Sequence, residues 1–318
     1  MTLSLEHSVD TKKALPTKKK SKRSPKARQE ERAFWIFILP WLIGLICFTG
    51  GPIVASLFLS FTDYNIVSSP VWVGLGNYIN LFTDFLVMKS LAATAYYALL
   101  AVPFTIILGL LLAILLNQKV KGQAFFRTAF YAPSIIAGVS VAFLWSWLLN
   151  PDFGVVNSLL KQVFGIDGPN WFNSTHWVIP SMALMQLTAI GGTMVIFLAS
   201  LQQLPKELYE AASLDGARGW AKFIHITVPL ISPVILFNTI IAIISSFQVF
   251  TQAYVITQGG PDWHSYFYVY YLFDTAFSQY RMGYASALAW VLFIIIFALT
   301  MLSLWISRRL VYYEYDNK

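Results

Sequence analysis

Six stretches of this chain are long and free of Asp, Glu, Lys and Arg: residues 33–61, 90–117, 128–149, 177–201, 231–257 and 283–306. A helix needs roughly 20 apolar residues to cross bilayer hydrocarbon. No water there satisfies the backbone, so only helices and closed barrels can cross. The stretches therefore predict an all-α polytopic membrane protein with six transmembrane helices. Only 12% of the residues are charged, against about 25% in soluble domains. Pro40, Pro52, Pro103, Pro133 and Pro180 fall inside or near span ends. Each lacks a backbone N–H, so kinks or shifts are expected. The Gly50-Gly51-Pro52 run is expected to bend the first span.

Orientation follows from Lys and Arg, which gather on the cytosolic side. With the N-terminus inside, that side holds the basic tail to Arg32. It also holds Lys119, Lys121 and Arg127, then Lys206, Arg218 and Lys222, then Arg308, Arg309 and Lys318. Lys89, Lys161 and Arg281 are left outside. Both termini are thus expected in the cytosol of a multi-pass chain. Residues 1–32 read as a basic, disordered tail resting on anionic membrane lipid, not on nucleic acid. The first apolar run lacks a cleavage pattern and is expected to remain as an anchor.

Residues 204–233, LPKELYEAASLDGARGWAKFIHITVPLISP, form a polar insert between the fourth and fifth stretches. Pro205 suits the first helical position. Leu204, Leu208, Ala211 and Ala212 recur at helical spacing. Asp215-Gly216 should break that helix, with Asp215 capping the next. Ala217, Trp220, Ile224 and Val228 then make a second apolar stripe, which Pro229 is expected to end. A membrane chain that keeps such an element in the cytosol offers it to a partner.

Glu210-Ala211-Ala212, then Gly216, then Ile226 and Pro229, resemble the EAA loop of binding-protein-dependent ABC import permeases. Asp215-Gly216-Ala217 with Trp220 and Phe223 looks like the carbohydrate-uptake branch, of maltose and glycerol-phosphate type. The family's Leu before the proline is Val228 here. Trp72-Val73-Gly74-Leu75-Gly76-Asn77-Tyr78, Asn150 to Gly154 with Asn157, Gly259-Gly260-Pro261 and Gly283 to Ala287 resemble the same pattern. The likeness covers about residues 33–315, making 33–318 a six-span permease domain. It implies that the loop seats in a cleft of an ATP-hydrolysing subunit, with Glu210 pairing a basic group there. Glu207, Ala211, Ala212, Asp215, Gly216, Ala217 and Trp220 would complete the coupling surface. It further implies a second homologous permease, two ATP-binding subunits and an extracytoplasmic solute-binding protein, in a bacterial inner membrane.

Catalysis by the chain itself has no support. No nucleophile sits beside an acid/base pair. No G-x-x-x-x-G-K-[ST] loop is present, so ATP belongs on partner subunits and no cofactor on this chain. His7, His176, His225 and His264 form no ligand pair, and Cys47 is the single cysteine, so no metal site is expected. The spans carry none of the ionisable residues that proton or sodium coupling commonly uses. Gly191-Gly192-Thr193 reads as helix packing.

A solute path must then be lined by uncharged polar groups. Gln186 and Thr188 lie in the fourth span; Asn238, Ser245, Ser246, Gln248, Thr251 and Gln252 lie in the fifth. Ser245, Gln248 and Gln252 are expected to share one helix face, as site or as interhelical glue. Trp145, Tyr254 or Trp290 would supply stacking faces. That chemistry suits a neutral polyhydroxylated ligand better than a phosphorylated polyol. Two other readings compete. A secondary transporter or channel would want inverted repeats or an intramembrane charge. A membrane transferase would want acidic pairs, and Glu207, Glu210 and Asp215 fit caps and docking better.

Overall fold

The computed structural model describes residues 25–118 and 121–310. Residues 1–24 of the expected basic tail, Lys119, and everything after Leu310 lie outside the described residues. The chain divides into two compact units, one reaching Ala55 and one starting at Ser56.

The first unit holds α1 (Pro25–Leu45), a π-helical turn (Ile46–Gly50) and the start of α2 (Gly51–Leu59). Helix starts at Pro25 instead of Ala33, so part of the expected tail is helical. Its residues, Lys-Ala-Arg-Gln-Glu-Glu-Arg, are strong helix formers. Phe37 and Phe48 are 85% and 84% exposed, which suits a helix bathed in lipid.

The second unit opens with a short antiparallel ribbon, β1 (Thr62–Asp63) and β2 (Val71–Trp72), with Thr62 opposite Trp72. Helices α3 (Gly76–Thr83), α4 (Phe85–Asn117), α5 (Gln123–Tyr131), α6 (Gly138–Leu148) and α7 (Val155–Phe164) follow. Then come α8 (Val178–Leu184), α9 (Ile190–Gln202), α10 (Lys206–Leu214) and α11 (Gly219–Lys222). The unit closes with α12 (Val228–Phe247), α13 (Tyr268–Phe277) and α14 (Met282–Leu310).

Four helical stretches are long and apolar enough to cross a membrane: Gln29–Leu59, Phe85–Asn117, Gly219–Phe247 and Met282–Arg308. Counted as one span each, two bent pairs bring the number to six, Gln123–Ile135 with Gly138–Leu148 at 102° and Val178–Thr188 with Ile190–Gln202 at 51°. The third and fourth crossings are thus broken, the third at the expected kink of Pro133 and the fourth several residues beyond Pro180. In the third, Pro133 sits in a 3-10 turn (Ala132–Ile135) and Gly138 restarts the helix. In the fourth, a 3-10 turn (Met185–Thr188) separates α8 from α9.

Two prolines are absorbed the same way. Gly51 N–H bonds Ile46 O just before Pro52, and Val228 N–H bonds Phe223 O just before Pro229. Each i→i−5 bond widens one turn where a proline cannot donate. The first helix therefore continues through Gly50-Gly51-Pro52. Pro229 likewise ends nothing, and α11 runs on through a π turn (Phe223–Thr227) into α12.

Helix α4 is the hub of the second unit, packing against α8, α9, α12 and α13. A Cβ at Gly109 would lie 2.8 Å from Thr193 Cγ2, and one at Gly191 would lie 2.4 Å from Phe130 O. These two glycines set how closely α9 approaches α4 and α5. One apolar cluster joins Tyr97, Trp145, Met182 and Phe267; a second joins Tyr268, Tyr284 and Leu288. A third, with Ala113, Met194, Phe197 and Ile231, ties α4, α9 and α12 at the end that carries the 204–233 loop.

Candidate functional site

The loop between α9 and α12 is a closed elbow. Pro205 precedes α10 as its N-cap residue, one position earlier than its helix-start preference suggests. At the far end Gly216 takes φ +77°. Gly216 N–H donates to Ser213 O (3.2 Å) and Ala217 N–H to Ala212 O (2.9 Å). That pair is a Schellman closure, which needs a residue tolerant of positive φ. Asp215 closes α10 and does not cap the next helix, whose N-cap is Arg218 without a side-chain bond. Tyr209 Oη and Thr227 Oγ1 are 2.8 Å apart, and Lys222 Nζ donates to Ser213 Oγ at 2.6 Å. These bonds tie α10 to the root of α12.

The outer face of the elbow is unpartnered. Leu214 is 91% exposed and Trp220 71%. Glu207, Glu210 and Ala211 are exposed, while Ala212 and Ala217 turn partly inward. Glu210 makes no hydrogen bond or ion pair with any described residue. Trp220, expected on an apolar stripe, lies against the Phe223 ring, at 5.5 Å between centroids.

A second feature is a cavity of about 170 Å³ between α4, the α8–α9 break and α12. Gln186, Asn238, Ser245 and Ser246 line it, with Thr105 and Thr193 opposite. Gln186 Nε2 donates to Tyr97 Oη at 2.7 Å, and Asn238 Nδ2 to Val234 O at 2.9 Å. The amide oxygens of both have no protein partner among the described residues. Thr188, by contrast, spends its hydroxyl on Met185 O at 2.7 Å.

The expected stripe of Ser245, Gln248 and Gln252 does not form. Helix α12 ends at Phe247, and helix resumes only after residue 250. Gln248 turns into a separate apolar cavity beside Leu272 and Phe293. Gln252 lines neither cavity. Trp145 is 7% exposed inside the core, so it presents no stacking face. Tyr254 does, at 47% exposed and stacked on Phe250 at 5.2 Å. Trp290 Nε1 donates to Ser56 Oγ at 3.3 Å. Thr105 and Thr193 were not singled out as lining groups; their only signal is polarity within an apolar run.

At the opposite end from the elbow, motifs scattered through the sequence converge. Asn77 Nδ2 donates to Ser60 O and Thr62 O, both at 2.9 Å. Gly283 N–H donates to Tyr64 O, and a Cβ at Gly283 would lie 2.0 Å from Thr62 O. Asp84 caps α4 by accepting from Leu86 N–H (2.9 Å), and its Oδ2 also accepts from Tyr271 Oη and Tyr284 Oη. Burial pushes the Asp84 carboxyl up, but these donated bonds outweigh it and hold it below the usual range. Asp274 is held down likewise, burial being outweighed by Tyr266, Gln279 and Ser278. Burial and the Asp84 carboxylate push Tyr271 up to about 12. Nearby, Asn157 accepts from Trp171 Nε1 (2.7 Å) and donates to Pro151 O and Pro169 O. No group of three or more metal-ligating side chains occurs among the described residues.

Residues 105–311 match the family model described as "Binding-protein-dependent transport system inner membrane component". The chain is 42% identical over 298 residues to the probable ABC transporter permease protein YesP of Bacillus subtilis (strain 168), covering 92% of this chain and 96% of that one. It is 30% identical over 279 residues to the probable starch degradation products transport system permease protein AmyD of Thermoanaerobacterium thermosulfurigenes, covering 87% and 94%. The fold matches a solved bacterial ABC transporter involved in the import of the acidic polysaccharide alginate. There the TM-score is 0.79 at 22% identity, over 90% of this chain and 99% of that one. The chain belongs to the family of inner membrane components of binding-protein-dependent transport systems.

Proposed function

We propose that this chain is the transmembrane permease subunit of an ATP-driven importer of a sugar or oligosaccharide. The elbow from Lys206 to Lys222 would dock in a cleft of an ATP-hydrolysing subunit. Glu210 would pair a basic group there, with Glu207, Leu214 and Trp220 filling the contact. Closure of that subunit would swing the spans between outward and inward access. ATP would sit on two such subunits and not on this chain. A second homologous permease would complete the pathway, and an extracytoplasmic solute-binding protein would deliver the solute. Both termini and the elbow would be cytosolic, in the cytoplasmic membrane of a bacterium.

The observation that carries this reading is the elbow itself. It is braced by the Schellman closure and the Tyr209–Thr227 bond, yet leaves Glu210, Leu214 and Trp220 exposed, and Glu210 makes no polar contact with any described residue. Relatives named for arabinooligosaccharides and multiple sugars support the solute class. So does the uncharged lining of the Gln186 cavity, whose amides and hydroxyls suit sugar hydroxyls. The test is isolation of the tagged chain from its native membrane, followed by ATPase and liposome uptake assays. Co-isolation of an ATP-hydrolysing subunit, lost on Glu210→Lys, is the expected outcome. Solute uptake by the chain alone, without ATP, would overturn the reading.

A further inference from the structure

A cavity of about 570 Å³ lies beneath the elbow, where it meets the ends of α4 and α9. Its walls are of two kinds. Ile114, Leu201 and Phe223 form an apolar side continuous with the spans. Lys206, Lys222 and Gln202 form a polar side. No acidic side chain is among its described lining residues, so two cations face the space without a carboxylate. Lys222 is fixed by its 2.6 Å bond to Ser213 Oγ, which leaves two of its three ammonium protons for a ligand.

We propose that this cavity binds the phosphate of an anionic lipid headgroup. An amphipathic hollow at a helix end meets a lipid where phosphate gives way to acyl chain. The apolar wall takes the first methylenes and the lysines take the phosphate. The inner leaflet is the anionic one, and basic groups near it gain about five-fold in affinity each. The same chemistry would admit a soluble phosphate compound, but such a ligand has no use for the apolar wall. The site rests on the cytosolic placement of the elbow and is independent of the transported solute. A lipid held there would touch α4, α9, α10 and the root of α12 together, making elbow position sensitive to membrane composition.

The test is native mass spectrometry of the purified full chain in detergent, with phosphatidylglycerol or phosphatidylcholine added. The chain should retain phosphatidylglycerol preferentially. Lys206→Gln with Lys222→Gln should cut that preference about 25-fold. Lys206→Arg with Lys222→Arg should keep it, as should Lys121→Gln and Arg308→Gln, which lie off the cavity. Gel filtration of each variant separates lost binding from lost folding. Equal retention of the two lipids, or an unchanged preference in the double Gln variant, would overturn the proposal. Displacement of phosphatidylglycerol by millimolar inorganic phosphate would assign the lysines to a soluble ligand and overturn the lipid assignment. A failed ATPase co-isolation would leave this result untouched, so the two readings fail separately.

Discussion

Tyr271 Oη donates a 2.5 Å hydrogen bond to Asp84 Oδ2, across 187 residues of sequence. Tyr284 donates to the same oxygen at 2.8 Å. One carboxylate thus fastens the start of α4 to both α13 and α14. Asp84→Asn should cost about 1.5–3 kcal/mol, the worth of hydrogen bonds to a charged group. Thermal melting in detergent would show the loss. Tyr271→Phe should fall short of it, since Tyr284 and Leu86 still bond the carboxylate.

The same clip gives a pH dependence. Asp84 and Asp274 lie below their ordinary range when folded. Their stabilisation is present above about pH 4, the unfolded value, and is lost as pH falls through the lower folded values. Tyr271 is raised to about 12. Its contribution is complete below about pH 10 and disappears as pH climbs toward 12. The difference in melting temperature between the chain and Asp84→Asn should be flat from about pH 5 to 9 and shrink on both sides.

Glu210→Lys should leave insertion and folding intact while weakening ATPase association about 10- to 100-fold, the equivalent of one charge-assisted bond. Leu214→Arg should act similarly through lost apolar contact. Co-purification and ATP-driven uptake are the readouts. Normal uptake by both variants would remove the docking role from this face.

Gln186→Leu should impair uptake more than Gln248→Leu, because Gln186 faces the polar cavity and Gln248 an apolar one. Initial uptake rates in vesicles, with matched membrane levels, distinguish them. Equal effects would mean that the 170 Å³ cavity is packing and not path.

Asn157→Ala should destabilise the fold by about 2–3 kcal/mol, since it removes three bonds and leaves Trp171 Nε1 without its acceptor. A blue- or red-shifted Trp fluorescence maximum would report the same change.

Much of this was legible in the residues. Uncharged length marked the crossings, and Asp215-Gly216 marked the turn that the Schellman closure makes. Asn77 and Gly283 were visible as separate motifs, but their meeting at Thr62 was not. Contact across more than 200 residues leaves no local pattern. Pro133 announced a kink in the third crossing, though not its size; the break in the fourth was hidden because hydropathy counts apolar residues and is blind to direction. The Ser245–Gln248–Gln252 stripe failed for a related reason. Helical spacing presumes an unbroken helix, and no proline or glycine announces the stop at Phe247. Asp84 was overlooked because a carboxylate at a span end reads as solvated until its tyrosines are placed.

The π turn before Pro229 carries a mechanical consequence. It lets α11 and α12 run as one helical stretch of 29 residues, Gly219–Phe247, roughly 40 Å long. Trp220 near one end and Asn238 in the polar cavity ride on the same rod. A displacement at the tip therefore has a continuous helical path to the cavity, with the π turn and Pro229 as the points along it where the helix can bend.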